Sequence, residues 1–249
     1  MRYFIGNWKM FGVPKSVNII NKINKFFTKD KFNKKYSVII TPPFTLLETF
    51  SKIFKNKKID IGAQNCYHKD IFSSDTGAIS SYMIKSLGTK YIIIGHSDNR
   101  SEGDTDVQLK NKVIYSLKNN LKVIFCIGED KLQKKNKQTF KVLKRQLLKV
   151  LDKKFDKKNL IIAYEPIWSI GTGKIPSTIE LLKTTKFIKQ VLVKIFKNKK
   201  KIPAVLYGGS VDSSNIVQFK KIPEIDGFLI GGASKSSKNF IDIIKNYYR

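Results

Sequence analysis

Tyr3-Phe4-Ile5-Gly6-Asn7-Trp8-Lys9 stands at the head of the chain, and the residues after its apolar run decide between two folds. The run reads as a short buried strand ending at Gly6. A doubly wound dinucleotide fold would place a Gly-x-Gly-x-x-Gly turn directly after such a strand, and none stands here. Working outward, comparable runs recur at Ser37–Thr41, Ile59–Ala63, Tyr91–Ile94, Lys122–Ile127, Leu160–Tyr164, Ala204–Tyr207 and Gly227–Ile230. Their Ile and Val content without polar alternation suits parallel strands covered on both faces. Helical periods lie between them. Val17, Ile20, Ile23 and Phe27 form one apolar stripe, and Leu181, Ile188, Val191 and Ile195 another, with Ser177 and Glu180 reading as a capping box that opens the second helix. Eight strands alternating with eight helices predict an α/β chain folded as a single (β/α)8 barrel, one domain over residues 1–249.

The chain is long enough to bury a sizeable core without disulfides or metal. Cys66 and Cys126 stand in apolar or strand-like stretches and read as reduced, buried thiols, and with only His68 and His96 besides, no spacing resembles a zinc site. No metal and no cofactor are expected. Apolar strand residues begin at once, at Tyr3, and no apolar run approaches a membrane span, so the expected location is cytoplasmic, with no membrane partner.

A net charge of +29 is the oddest bulk feature, and four arginines leave 44 of the 48 cationic residues as lysine. A dedicated nucleic-acid binder uses more arginine, because the guanidinium fork matches phosphates and base edges. The excess, with much Asn, Ile and Phe, reads as drift in an AT-rich genome. Lys34-Lys35, Lys57-Lys58, Lys153-Lys154, Lys157-Lys158, Lys197 to Lys201 and Lys220-Lys221 all precede strands, whereas Lys134, Lys135 and Lys137 follow one. On a barrel the loops after strands form the catalytic face, so most of the charge falls on the opposite end. Nonspecific nucleic-acid binding by a barrel scaffold through this lysine-rich surface is the alternative reading.

Polar residues at strand ends are where such a barrel keeps its chemistry. Asn7 and Lys9 follow the first strand, His96 the fourth and Glu165 the sixth. Each alone has a structural explanation, as a solvated lysine, a packed histidine or a capping carboxylate. Together they supply a base, an electrophile and a cation at one mouth, the set needed to move a proton beside a carbonyl. Glycines follow the later strands in Ile170-Gly171-Thr172-Gly173-Lys174, Tyr207-Gly208-Gly209-Ser210 and Ile230-Gly231-Gly232-Ala233-Ser234. They let backbone N–H groups approach an anion closely, and the loops after strands seven and eight are the usual phosphate site of this architecture.

Gly6-Asn7-Trp8-Lys9-Met10, Ala63-Gln64-Asn65-Cys66-Tyr67, Gly95-His96-Ser97, Cys126-Ile127-Gly128-Glu129 and the run from Tyr164 to Lys174 resemble the signatures of the triosephosphate isomerase family. Tyr207-Gly208-Gly209-Ser210-Val211 and Gly231-Gly232-Ala233-Ser234 complete the set, in the family's order, over residues 6 to 234. The resemblance implies a TIM barrel and an intramolecular aldose-ketose isomerase of glycolysis and gluconeogenesis. Such an enzyme interconverts dihydroxyacetone phosphate and D-glyceraldehyde 3-phosphate by enediolate proton transfer. It further implies Glu165 as the base, His96 as a neutral electrophile, Lys9 as the cation beside enediolate and phosphate, and Asn7 as a hydrogen-bond donor. Substrate binding would fall to Asn7, Lys9, Gly171, Ser210, Gly231 and Gly232. The lid would be Pro166, Ile167, Trp168, Ser169, Ile170, Gly171, Thr172, Gly173 and Lys174, with Glu129 and Tyr164 as open-state partners of Trp168. The partners implied are a small phosphorylated three-carbon sugar and a second copy of the chain, in a homodimer held by the loop carrying Thr76.

Some positions depart from that pattern. Asp98 stands where the family usually has Glu, Asn99 and Ala78 replace two residues that pair across the family's dimer, and Thr105 occupies a position typically acidic. Pro176 fills a lid hinge commonly held by Ala. Proline has no N–H, so a closed-lid hydrogen bond between that position and Tyr207 cannot form. The expectation is a less favourable closure, and little cost on replacing Tyr207 with Phe.

Overall fold

Eight parallel strands close on themselves in a computed structural model of the chain, which describes residues 1–198 and 201–249. They are β1 (Arg2–Asn7), β2 (Tyr36–Thr41), β3 (Asp60–Ala63), β4 (Tyr91–Ile94), β5 (Lys122–Ile127), β6 (Leu160–Tyr164), β7 (Ala204–Tyr207) and β8 (Gly227–Ile230). Each pairs with its sequence neighbours, and β8 closes the ring on β1 from Tyr3↔Gly227 to Gly6↔Ile230. Five of the eight runs read from sequence coincide with the observed strands, and the others shift by one residue at one or both ends.

The outer layer consists of α1 (Val17–Lys29), α2 (Phe44–Phe54), α3 (Ser81–Ser86), α4 (Ser97–Ser101), α5 (Asp106–Lys118), α6 (Lys131–Lys135), α7 (Thr139–Val150), α8 (Thr178–Phe196) and α9 (Ser237–Tyr248). The expected helix between β7 and β8 is instead a 3-10 segment, Ile216–Lys221. Ile216 and Phe219, one tight turn apart, are both buried there, so a three-residue period suffices to cover the barrel. Ile20, Ile23 and Phe27 of α1 and Leu181, Ile188 and Val191 of α8 are buried, as the stripes require, while Val17 and Ile195 sit at the margins. The capping box at α8 is only half made. Ser177 accepts from the Glu180 amide at 3.2 Å, but the Glu180 carboxylate reaches out to Lys134 at 2.8 Å instead of back to Ser177. A charge partner outcompetes a neutral backbone donor.

Two apolar layers result. Ile5, Ile39, Ile93, Ile124, Cys126, Ile161, Ala163, Leu206 and Leu229 fill the inside of the barrel, and a larger cluster lies between strands and helices. Strand alternation carries the inner face forward, so Asn7 continues from Ile5, and Glu165 from Ala163, towards the mouth at the strand C-termini. Both cysteines are buried free thiols, and burial pushes the Cys66 thiol up to about 12. Among the described residues no helix is long and apolar enough to cross a membrane, and no cluster of three metal-ligating side chains occurs. Of the lysine run from Lys197 to Lys201, Lys199 and Lys200 lie outside the described residues.

Candidate active site

The Gly6-Asn7-Trp8-Lys9 turn is fixed from three sides. The Trp8 indole, fully buried, donates to the Ser234 carbonyl at 3.1 Å and ties the loop after β1 to the loop after β8. Asn7 Oδ1 accepts from the Lys9 amide at 3.0 Å, and Gln64 Nε2 donates to the carbonyls of Lys9 and Thr41 at 2.9 and 2.8 Å. Lys9 is held at φ +54°, a conformation non-glycine residues rarely adopt. Gln64, one residue of the motif after β3, therefore holds this strained loop, a role that no local pattern announces.

His96 caps α4, its Nδ1 accepting the Asp98 amide at 3.1 Å. An accepting Nδ1 carries no proton, so the ring in this arrangement is neutral with its N–H at Nε2. That Nε2 lies 3.4 Å from Glu165 Oε1. Asp98, one methylene shorter than the residue usual in the family, still reaches Lys9 Nζ at 3.2 Å.

Glu165 is 3% exposed and follows β6, its amide bonded to the Ile127 carbonyl at 2.7 Å. Its side chain packs so tightly on the end of β7 that a Cβ at Gly208 would stand 2.7 Å from Glu165 Cγ. Only glycine admits the carboxylate there. Cys126 lies beneath it inside the barrel, and burial and the Glu165 carboxylate hold its thiol well above the ordinary range.

The lid is seated over the mouth. Ile167–Ser169 form a 3-10 turn, Gly171 and Gly173 adopt φ +69° and +72°, and the Gly173 amide donates to Ser210 Oγ at 3.2 Å. In this seated lid Trp168 Nε1 donates to Glu129 Oε1 at 2.9 Å, and Tyr164 donates to the same oxygen at 3.2 Å. Glu129 is therefore the partner of Trp168 in this arrangement, and Tyr164, also expected to bond Trp168, shares the Glu129 oxygen instead. Lys134 Nζ stands 3.3 Å from the Trp168 ring centroid, a cation–π contact with no signal in the local sequence.

Asn7, Lys9, His96, Glu165, Gly171, Ser210, Gly231 and Gly232 all line one cavity of about 410 Å³ at the C-terminal mouth. Ile170 and Gly173 complete the lid side. Pro166, Ile167, Trp168, Ser169, Thr172 and Lys174 belong to the lid but do not line the cavity. Asp212 also lines it, without any motif in the sequence to mark it; its carboxylate is turned onto its own loop, accepting from Ser214 and Asn215 amides at 2.8 and 2.9 Å. Thr76 lies elsewhere, exposed on the loop after β3.

Relatives are similar over nearly the whole chain. A triosephosphate isomerase of Wolbachia pipientis is 39% identical, covering 97% of this chain and 92% of its own. Those of Zygosaccharomyces bailii and Borrelia garinii subsp. bavariensis are 38% and 37% identical, each with 98% of both chains covered. The crystal structure of triosephosphate isomerase from Bartonella henselae superimposes with a TM-score of 0.90 at 30% identity, covering 100% of this chain and 99% of that one. None of these lends support to the nucleic-acid alternative. The profile of one family spans residues 2–247, and with these relatives it shows that the chain belongs to the triosephosphate isomerase family.

Proposed function

We propose that the cavity interconverts dihydroxyacetone phosphate and D-glyceraldehyde 3-phosphate, with Glu165 as the base, His96 and Asn7 as donors to the substrate oxygens, and Lys9 as the cation. The observation that carries this reading is the convergence of Asn7, Lys9, His96 and Glu165 on one lidded cavity lined with glycine. Glu165 takes the proton from one substrate carbon and returns it to the neighbouring one. His96 Nε2–H donates to the oxygen on which charge develops, and a neutral donor in a water-poor site stabilises that oxygen without giving its proton away at the outset. Lys9, paired with Asp98, turns its ammonium to the enediolate and the phosphate dianion. Gly171, Ser210, Gly231 and Gly232 take the phosphate on the far side of the cavity, and lid closure keeps water from the enediolate. The sequence calls for no cofactor in this chemistry.

The working particle in this reading is a homodimer in the cytoplasm. Exposed Ile71, Phe72 and Tyr82 flank Thr76 in the chain, with the Phe72 and Tyr82 rings in edge contact, a patch suited to a second copy. With Ala78 and Asn99 both uncharged, no unpaired ion is left at that contact. Two buried thiols suit a reducing compartment.

The test is a coupled isomerase assay on D-glyceraldehyde 3-phosphate beside a Glu165→Gln control, on protein sized by light scattering. Turnover that falls at least ~10³-fold in the control is the expected result for removal of a base. A folded protein without turnover, or a control as active as the parent, would overturn the assignment.

A further inference from the structure

Ser169 lies in the first turn of the lid and is fully buried. Its hydroxyl donates to the Lys174 carbonyl at 2.5 Å and stands 3.1 Å from the Tyr207 hydroxyl. A carbonyl can only accept, so the Ser169 proton is committed to Lys174 and Tyr207 is the donor in the second contact. The Ser169 carbonyl meanwhile accepts from Ser210 Oγ at 2.7 Å, the same oxygen that receives the Gly173 amide. One residue thereby joins the lid's entry, its exit and the end of β7. The pair also explains Gly209, where any Cβ would collide with both the Tyr207 and the Ser169 hydroxyls. Pro176, buried at the lid's exit, has no N–H to offer Tyr207.

We propose that Ser169 is the positioning residue that latches the lid: its hydroxyl oxygen accepts from Tyr207, giving Tyr207 a partner inside the lid where Pro176 has no backbone N–H to donate to it. The proposal rests on the isomerase reading of the cavity. It reverses the expectation drawn from Pro176 alone: Tyr207 has a partner inside the lid, so Tyr207→Phe costs activity. Ser169 touches no substrate. It acts by holding Gly171 and Gly173 over the phosphate.

The experiment is a cycle of Ser169→Ala, Tyr207→Phe and their double, each also combined with Pro176→Ala. The readouts are kcat/KM and the share of turnovers ending in free inorganic phosphate, which the unprotected enediolate eliminates by breaking the C–O bond to phosphate, its carbon skeleton leaving as the enol of methylglyoxal. Ser169→Ala strands the Tyr207 hydroxyl and the Lys174 carbonyl, and kcat/KM is expected to fall roughly tenfold to a hundredfold while phosphate release rises. Tyr207→Phe is expected to lose activity in the parent and almost none in the Ser169→Ala background. Pro176→Ala restores a backbone N–H from which the Tyr207 oxygen can accept, and should recover most of the Ser169→Ala loss, but only where Tyr207 is present. Thermal melts separate folding from latching; if Ser169→Ala melts early, Tyr207→Phe, which removes a single oxygen, carries the test. A Ser169→Ala enzyme within about twofold of the parent with unchanged phosphate release would overturn the latch, as would additive losses without recovery. A parent lacking isomerase activity would instead overturn the reading beneath it.

Discussion

Glu129 is 1% exposed, and its Oε2 finds no hydrogen-bond partner among the described residues. Burial raises its carboxyl above the ordinary value of 4.5, against the pull of Trp168, Tyr164 and Lys134. A raised pKa in the folded state means that the fold favours the protonated form. The stability this acid contributes is therefore fully present below pH 4.5 and is lost as pH rises through the raised value. Glu129→Gln keeps an acceptor for Trp168 and abolishes the ionisation. The Tm of the variant minus that of the parent should grow as pH rises from about 4.5 to neutrality. A constant difference across that range would mean that ionisation at Glu129 does not strain the fold. The tautomer of His96 belongs to the same scale, since one backbone amide, that of Asp98, sets which ring nitrogen faces Glu165.

Helix α5 shows how an element absorbs a departure in sequence. Thr105, at a position where the family is typically acidic, accepts from the Gln108 amide while Gln108 reaches back to the Thr105 amide, a complete capping box. The acid stands one residue earlier. Asp104 bonds Lys112 Nζ through both oxygens at 2.6 and 2.7 Å, and Asn65 adds a third contact at 3.0 Å. With side chains 5% and 13% exposed, this pair ties α5 to the turn that precedes it, and the Asn65 contact adds the loop after β3. Breaking one half leaves a buried, unpaired charge. Asp104→Asn should cost about 3–5 kcal/mol in urea unfolding, and Asp104→Leu with Lys112→Met should recover most of it. Equal losses in the single and double variants would show that the charges matter less than the shape they fill.

At the scale of the molecule, the lysine pairs of the strand-entering loops and the cavity occupy opposite ends. Lys34, Lys35, Lys57, Lys58, Lys153, Lys154, Lys220 and Lys221 are exposed where the chain enters strands, and the cavity opens where it leaves them. Like charges crowded on one end repel over a range that salt of about 0.1 M shortens to about 10 Å. Tm should therefore rise with added salt, and kcat/KM should fall by less than about tenfold between low and physiological salt, because the basic end steers substrate poorly to the other mouth. A flat Tm would show the lysines too far apart to interact, and a steeper fall in kcat/KM would show the field reaching across the barrel.

Strand positions, the barrel and the four polar residues at its mouth were legible in the sequence. Period, glycine placement and strand-end position are local properties, and a parallel barrel converts strand-end position directly into proximity. Apart from the Trp168–Glu129 contact that the family resemblance implies, contacts between residues remote in sequence were not legible. Nothing near Gln64 shows that it holds Lys9, nothing near Lys134 shows that it covers Trp168, and Glu180 reads as a cap until the fold brings Lys134 within reach. Pro176 makes the point most sharply. The chain by itself shows a lost N–H, and only the folded lid brings the Ser169 hydroxyl to Tyr207, because hydrogen-bond partners are chosen by distance in space after the backbone has closed.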